Sequence, residues 1–311
     1  MSFDFDAAVS APFRMQPGLR RLAAGSAQLT PLAPGSRHQR EKLAVLSAFW
    51  RDALLQAPGV DASAALAAVC AQAAQEHPAF WHWDGKRAAA PTLGVAVKAG
   101  AVEHLAAGRF GLGDELQRCL NGLPPSWRLA GLLALAFAED LALVDARSGT
   151  IPWLAVCLPS AWAPRDKIGQ SFADIHAPVA DNQRVLAAAA SLMRLVTGPE
   201  RWERFVWTLT DHPRLHAHPD HLPERRWADT PAAAAWFRSE RQTFIPLPGA
   251  EQAVFTIAID VQPLARVVDS PARAQRLHDA LATMSDAVLA YRGLAPVRDD
   301  LLRWLAERGT R

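Results

Sequence analysis

The middle of the chain, residues 139–261, departs from the helical periodicity of the flanking sequence. Short runs of β-forming residues predict five strands, at residues 140–145, 151–158, 205–210, 241–247 and 253–261. The first two runs flank the turn-forming sequence Ala-Arg-Ser-Gly-Thr, which indicates a β-hairpin. Between the second and third runs, residues 159–180 are loop-like and residues 181–196 predict a helix. The expected order is therefore a hairpin, a crossover helix and three further strands.

This order predicts an α+β chain with one antiparallel five-stranded sheet and the crossover helix on a face of that sheet. The same order of elements occurs in the PAS fold, so we expect a PAS-like sheet. PAS domains hold a ligand between the crossover helix and the sheet. That placement is an analogy between folds and specifies no chemistry.

Helical patterns dominate on both sides of this region. An arm of 37 residues comes first, and apolar periodicity then predicts five helices, at residues 40–56, 61–75, 95–107, 114–121 and 126–137. Amphipathic helices are expected after the last strand, at residues 270–292 and 297–307. We therefore expect an arm and helical layer over residues 1–138, a PAS-like domain over 139–265 and C-terminal helices over 266–311. These parts are expected to pack as one compact unit.

Charge and hydropathy argue against several classes of protein. The 33 Lys and Arg residues are balanced by 31 Asp and Glu residues, which disfavours nucleic-acid binding through bulk charge. No segment reaches the roughly 18 apolar residues of a membrane span. The first residues, Met-Ser-Phe-Asp-Phe-Asp, are acidic where a secretory signal would be basic. A cytoplasmic protein with no nucleic-acid or membrane partner is expected.

Three cysteines, Cys70, Cys119 and Cys157, are far apart in the sequence. Their odd number and wide spacing suit a reducing compartment and exclude a disulfide framework. An iron–sulfur cluster held by this chain alone is disfavoured, because it needs four closely spaced ligands. Each cysteine is expected to be a small buried apolar residue.

Four of the ten histidines, His212, His216, His218 and His221, lie within ten residues of one another. Imidazole groups bind zinc and copper, so a metal site is one interpretation. The irregular spacing and the intervening prolines match no helical or strand ligand geometry. A solvated loop is the interpretation that the sequence favours.

His176 is the other notable histidine, and it lies just before the crossover helix. Pro178 restricts its own φ angle and biases Ala177 away from the helical region, which gives the imidazole a defined direction. In the expected topology, His176 points into the space between helix and sheet. An axial haem ligand, a ligand of another metal and a general base are possible roles there. A core histidine bonded to the backbone is the alternative.

The segment from Arg238 to Thr243 is polar although aromatic residues flank it. The two-residue period of a strand places Arg238, Glu240 and Gln242 on one face and the intervening residues on the other. A buried arginine needs an anionic partner, and a carboxylate or a haem propionate would serve. A surface ladder of ion pairs is the alternative interpretation.

Three motifs together resemble a known family. They are Pro159-Ser160-x-Trp162, Ile175-His176-x-Pro178-Val179 and Arg238-x-Glu240-Arg241-Gln242-Thr243. The strings RFVWTLTD and PFRMQPGLRRL add to them. The chain resembles the haem-dependent oxidative N-demethylase α-subunit family, long catalogued as a domain of unknown function, from about Pro12 to the last strand.

The resemblance implies a haem-dependent oxidoreductase that uses dioxygen to demethylate a small secondary amine such as dimethylamine. Haem b is implied in this chain. Electron-transfer reductase subunits are implied as partners, carrying FMN, an iron–sulfur cluster, a tetrahydrofolate site and NADPH as electron source. The sequence agrees, because it has no closely spaced cluster cysteines and Gly111-Leu112-Gly113 lacks the strand and third glycine of a dinucleotide site.

The resemblance also suggests roles for single residues. His176 becomes the expected proximal ligand of the haem iron. Arg204 and Arg241 are candidates for contacts with the propionates or on the oxygen side, and Glu240 is a candidate for a charged role near the amine. Apolar walls are expected from Trp207, Phe244, Phe255 and Ile257.

One position departs from the family pattern. Val206 stands before the strand tryptophan, where the family has Asn, so a polar group of the site is absent. Two other functions stay open on the sequence. One is a non-enzymatic haem-PAS sensor of oxygen or redox state, although the chain shows no output domain such as a kinase. The other is a haem-free binding or scaffold protein.

Overall fold

A seven-stranded antiparallel sheet runs through the centre of the computed structural model, which describes residues 3–224, 226–228 and 230–310. The strands are β1 (Arg20–Arg21), β2 (Leu54–Gln56), β3 (His82–Trp83), β4 (Arg87–Ala90), β5 (Val95–Lys98), β6 (Ala101–His104), β7 (Glu139–Asp145), β8 (Thr150–Ala155), β9 (Trp202–Thr210), β10 (Trp236–Leu247) and β11 (Gln252–Pro263). The large sheet has the order β1-β9-β10-β11-β7-β8-β2, and β3 to β6 form a second, four-stranded sheet. The mixed α+β class expected from the sequence is confirmed.

Thirteen α-helices occur in the described ranges. They are α1 (Phe5–Ala8), α2 (Arg37–Ala48), α3 (Trp50–Ala53), α4 (Ser63–Glu76), α5 (Glu115–Gly122), α6 (Arg128–Ala136), α7 (Phe172–His176), α8 (Gln183–Ala187), α9 (Ala189–Val196), α10 (Leu264–Val267), α11 (Pro271–Ala282), α12 (Asp286–Tyr291) and α13 (Arg298–Gly309). No helix of the described residues has both the length and the hydropathy to cross a membrane.

All five expected strands are present as the central strands of the large sheet. The expectation of only five strands is wrong, because two segments of the N-terminal region extend the sheet. β1 pairs with β9, and β2 pairs with β8. The edge strands of a sheet carry unpaired N–H and C=O groups, and these short additions satisfy some of them. The residues predicted as a helix over 40–56 accordingly end in strand β2.

The second sheet corrects the prediction of a helix over residues 95–107. In its place, β5 and β6 form a hairpin. Its two-residue turn is Ala99-Gly100, and both residues have positive φ angles, of 48° and 78°. Such angles at both positions suit the right-handed twist of a hairpin. Val95, Ala96 and Val97 are buried, so tertiary burial outweighs the helical spacing of this apolar run.

The crossover segment consists of three short helices rather than one helix over residues 181–196. α7 lies in the stretch expected to be loop, and α8 and α9 are separated at Ala188. Met193 and Val196 of α9 form a buried cluster with Val144, Phe244 and Ala253. This contact places the crossover segment on the face of the sheet that carries Phe244 and Ala253, hereafter the crossover face.

Other helices pack against the opposite face. The largest core cluster joins α2, α4 and α6 to strands β7, β8 and β11. The C-terminal helices α11 to α13 pack with Trp207 and Phe237 of the neighbouring strands. The region predicted as one helix over 270–292 is divided into α11 and α12, and Ser285 caps the second of these. The three cysteines are buried in the core, as expected.

Candidate functional site

Helix α7 sets the orientation of His176. Ser171 caps the helix by accepting a hydrogen bond from the backbone N–H of Asp174. At the other end, the imidazole stacks on Phe172 with 4.0 Å between ring centroids. His176 Nδ1 lies 2.8 Å from the carbonyl oxygen of Phe172. A carbonyl only accepts, so Nδ1 carries the proton and Nε2 keeps a free lone pair.

The environment of His176 favours the neutral imidazole. Burial lowers the pKa of this side chain below its usual value, and the charges of Arg204 and Lys167 lower it further. The hydrogen bond to Phe172 opposes these effects. A neutral histidine with an available Nε2 is the form that binds a metal ion.

Strand register places several candidate residues on the crossover face. Arg204 stands opposite Gln242, and Val206 stands opposite Glu240. Directly paired residues of antiparallel strands share a face. Phe255 belongs to the same face, because it pairs with Phe244 and stacks on it at 4.9 Å between centroids. The structure thus brings three expected site residues, Arg204, Glu240 and Phe255, to the face that α7 to α9 cover.

Phe172 and Phe255 link His176 to this face. Both aromatic rings pack against the buried cluster formed by α9 and the sheet. His176 stacks on the first of these rings, and the charge of Arg204 is close enough to affect its pKa. The imidazole therefore lies beside the crossover face, near Arg204.

Glu240 is held by two of the motifs found in the sequence. Ser160 donates a hydrogen bond to Glu240 Oε1, and Gln242 Nε2 donates to Oε2 over 2.6 Å. The Ser160 hydroxyl also accepts from Arg238 Nε at 2.7 Å. This network fixes the carboxylate on the crossover face while its oxygens keep further accepting capacity.

Arg238 joins backbone segments of the protein. Its Nη atoms donate to four backbone carbonyl oxygens, those of Leu158, Pro159, Arg214 and Leu215. Burial lowers the pKa of this guanidinium to about 10. The anionic partner expected for a buried arginine is here replaced largely by carbonyl groups, with Glu240 reached through Ser160.

Arg204, unlike Arg238, has a buried guanidinium nitrogen, Nε, without a hydrogen-bond partner among the described residues. Burial lowers the pKa of the guanidinium, and the charge of Glu240 partly opposes that effect. A buried guanidinium nitrogen without a partner is costly, so this group is suited to meet an acceptor from a ligand.

Arg241 and Trp207 are not brought together with His176. Arg241 donates to Glu203 Oε2 at 3.0 Å and to the carbonyl oxygen of Ala27 at 2.8 Å. Trp207 stacks on Phe237 and donates to the carbonyl oxygen of Ala8. Both side chains lie on the opposite face, because neighbouring strand residues alternate between faces. The structure therefore does not bring Arg241 or Trp207 to the face that carries Arg204 and Glu240.

Some residues near the site were not identified from the sequence. Ser160 was noticed only as part of a motif, although it bridges Arg238 and Glu240. Arg292 donates to the carbonyl oxygen of Trp207, and burial lowers its pKa to about 10. Tyr291, the one tyrosine in the sequence, has its pKa raised by burial and by Glu240. The position of Tyr291 and Arg292 at the end of the helix predicted over residues 270–292 gave no signal of proximity to the strands.

These features define an α+β protein with a candidate ligand site where a crossover segment covers one face of a sheet. A free imidazole Nε2 and an arginine Nε without a described partner suit a metal-containing cofactor with acidic groups. The family model for the haem-dependent oxidative N-demethylase, alpha subunit-like, matches residues 117–302. This range is more than half of the chain and includes every residue of the site named above except those of the N-terminal arm. The chain belongs to this family, which confirms the resemblance found in the sequence.

Family membership implies a haem cofactor and, since the description is of an alpha subunit, partner subunits. The residues present fit haem. His176 offers a neutral nitrogen for the iron, and Arg204 offers a cationic group for a propionate.

Proposed function

We propose that this protein catalyses the haem-dependent oxidative N-demethylation of a small secondary amine resembling dimethylamine. Dioxygen would be the oxidant, and partner subunits would supply electrons. The observation that carries the proposal is His176, whose Nδ1 is bonded to Phe172 and whose Nε2 is free, in a chain of a haem-dependent N-demethylase family.

In this proposal, His176 Nε2 holds the haem iron and Arg204 contacts a propionate or the oxygen side. Phe255 and Phe244 form an apolar wall on the crossover face. Bound haem b supplies the redox centre at which dioxygen is activated. The apolar wall and helices α7 to α9 exclude bulk water from the site.

Glu240 would bind the amine. A small secondary amine is protonated at neutral pH, and a fixed carboxylate on the same face attracts and orients it. Ser160 and Gln242 hold that carboxylate before the amine arrives, so little ordering is required on binding. Val206 lies directly opposite Glu240 and would contact a methyl group.

The remaining parts of the proposal concern fold and partners. The central strands run β8-β7-β11-β10-β9 with the crossover segment on one face, which supports a PAS-like domain. The partners would be reductase subunits that carry FMN, an iron–sulfur cluster, tetrahydrofolate and NADPH. A cytoplasmic location suits such soluble electron donors.

The test is the absorption spectrum of the full chain expressed with a haem precursor. We expect a Soret band that shifts when dimethylamine is added. His176→Ala should lose the band, and added imidazole should restore part of it. His104→Ala is the matched control, because His104 is exposed on β6. An unshifted, full-strength band in His176→Ala would overturn the ligand assignment, and a band indifferent to amines would favour a sensor.

A further inference from the structure

Three of the four clustered histidines come together in the connection between β9 and β10. The ring centroids of His216, His218 and His221 are 5.2, 5.3 and 6.0 Å apart. His218 is only 2% exposed. The interpretation of this stretch as a solvated loop is therefore corrected for these three histidines, since His218 is buried and the three rings lie close together.

The hydrogen bonds of His216 define how its nitrogens are used. His216 Nδ1 lies 2.7 Å from the carbonyl oxygen of Cys157 and must donate to it. Its Nε2 is then an acceptor, and it lies 2.9 Å from His221 Nδ1. Two imidazole nitrogens on different rings thus converge, and the more buried ring is oriented by a backbone carbonyl.

His218 adds a polar atom that the protein leaves without a partner. Its Nδ1 accepts from the backbone N–H of Asp220 over 3.3 Å. Its Nε2 is buried and has no hydrogen-bond partner among the described residues. Leaving a buried polar nitrogen without a partner is unfavourable unless something else binds there.

We propose that His216, His218 and His221 bind one divalent transition-metal ion of the zinc class, at a site separate from His176. The donors are His216 Nε2, His218 Nε2 and His221 Nδ1. Three imidazoles with one open position are a known ligand set for such ions.

The surrounding groups match those that usually orient metal-binding histidines. Such histidines donate their second N–H to a carbonyl or a carboxylate. Cys157 provides the carbonyl for His216. For His218, the Asp220 carboxylate lies close by, with Oδ2 at 3.9 Å from Nδ1, and would accept from Nδ1 once that nitrogen carries the proton. Arg165 holds this carboxylate at 2.9 Å.

Binding requires a small local change. No three such side chains among the described residues already stand in the geometry of a metal site. His216 Nε2 and His221 Nδ1 must separate from 2.9 Å to about 3.3 Å, the spacing of nitrogens in a tetrahedral zinc site. One proton moves from Nδ1 to Nε2 of His221 and another from Nε2 to Nδ1 of His218. No net proton is released, because both rings stay neutral. The hydrogen bond between His216 and His221 and the 3.3 Å hydrogen bond from the Asp220 N–H to His218 Nδ1 are lost in exchange for the bonds to the metal.

The metal would fix the loop that supports Glu240. Ala217 lies between His216 and His218, donates to the carbonyl oxygen of Pro159 and accepts from the N–H of Ala161. The residue between these two, Ser160, bonds Glu240. A metal ion on the histidines would therefore stiffen the segment that positions the carboxylate.

The test is a calorimetric titration of Zn²⁺ and Co²⁺ into the full chain, without an affinity tag and after chelator treatment. We expect one equivalent to bind, Co²⁺ to give visible ligand-field bands, and the thermal midpoint to rise. His218→Gln and His221→Gln should each weaken binding by more than about tenfold. His82→Gln is the control, since His82 is exposed on β3.

Two outcomes would overturn the site. One is the absence of stoichiometric binding by the wild-type chain, and the other is unchanged affinity in a folded His216→Gln, His218→Gln double variant. Circular dichroism establishes that each variant is folded. Zinc binding should persist in His176→Ala, so the result is independent of the haem assignment.

Discussion

The two faces of strands β9 and β10 differ in whether their charged side chains have partners within the protein. On the face toward the C-terminal helices and the arm, Arg241 pairs with Glu203, and Arg20 bonds the other oxygen of that carboxylate at 3.0 Å. On the crossover face, Arg204 has a buried nitrogen without a described partner. Glu203 and Arg204 are adjacent in β9, yet only Glu203 has hydrogen-bond partners for its charged group among the described residues. The difference indicates that the charged groups of the first face stabilise the fold, whereas Arg204 on the second face is available to an acceptor from outside the described chain.

The largest expected effect concerns the paired face. Arg241→Met should lower the free energy of unfolding by about 2–4 kcal/mol, because it leaves the largely buried Glu203 with only Arg20 as partner. Urea unfolding followed by circular dichroism measures this change. A loss below about 0.5 kcal/mol would contradict a stabilising role for this face.

Arg204→Met, unlike Arg241→Met, should weaken haem binding and leave stability nearly unchanged. We expect the haem dissociation constant to rise about tenfold, since a cationic contact worth about 1.4 kcal/mol is lost. The free energy of unfolding should stay within about 1 kcal/mol of wild type, because no described protein group loses a hydrogen bond. Haem transfer to apomyoglobin measures the first quantity. A large stability loss with unchanged haem affinity would remove the distinction between the faces.

Glu240→Gln should raise KM for the amine about tenfold and leave the haem spectrum unchanged. The amide keeps an acceptor for Gln242 but loses the charge that attracts a protonated amine. Steady-state turnover with the reconstituted partners measures KM. Glu307→Gln, at an exposed position of helix α13, is a control for the loss of one negative charge. An unchanged KM would separate Glu240 from amine binding.

The pH dependence of stability gives a further test of the crossover face through His176. The pKa of His176 is lowered in the folded chain, so the unfolded chain binds more protons in the window below pH 6.5. The stability from this group is present above pH 6.5 and is lost as the pH falls below that value. Arg204→Met removes a positive charge and should raise the pKa of His176. An NMR titration of the haem-free chain measures it, and an unchanged pKa would place Arg204 too far from the imidazole.

The smallest effect is expected at Val206. Val206→Asn should destabilise the chain by less than about 1 kcal/mol, because the position is half-buried opposite Glu240. It should change the affinity for dimethylamine, since it adds a polar group beside the carboxylate. Thermal unfolding and the amine-dependent Soret shift measure the two quantities. An unchanged shift would place the amine away from Val206.

Much of this arrangement could be predicted from the sequence where local signals agreed with burial. The five central strands were predicted because each has β-forming residues bounded by turn residues. The helix predicted over residues 95–107 was wrong, since short apolar runs fit a helix or a strand and only pairing decides between them. Glu240 and Arg204 were candidates from the family resemblance, and the structure places both on the crossover face. Arg241 and Trp207 were expected at the ligand but lie on the opposite face, a separation that strand alternation already indicates for Glu240 and Arg241.

The sequence by itself determined the α+β class, the order of the central strands and the family, because these depend on local periodicity and on short motifs. Only the tertiary structure decided which polar groups have partners. Ser160 meets Glu240 across 80 residues of sequence, and Arg241 meets Glu203 across two strands. The convergence of His216, His218 and His221 likewise depends on a buried loop. Contacts between distant segments leave no local signal, because each side chain's partner is set by how the strands and loops pack.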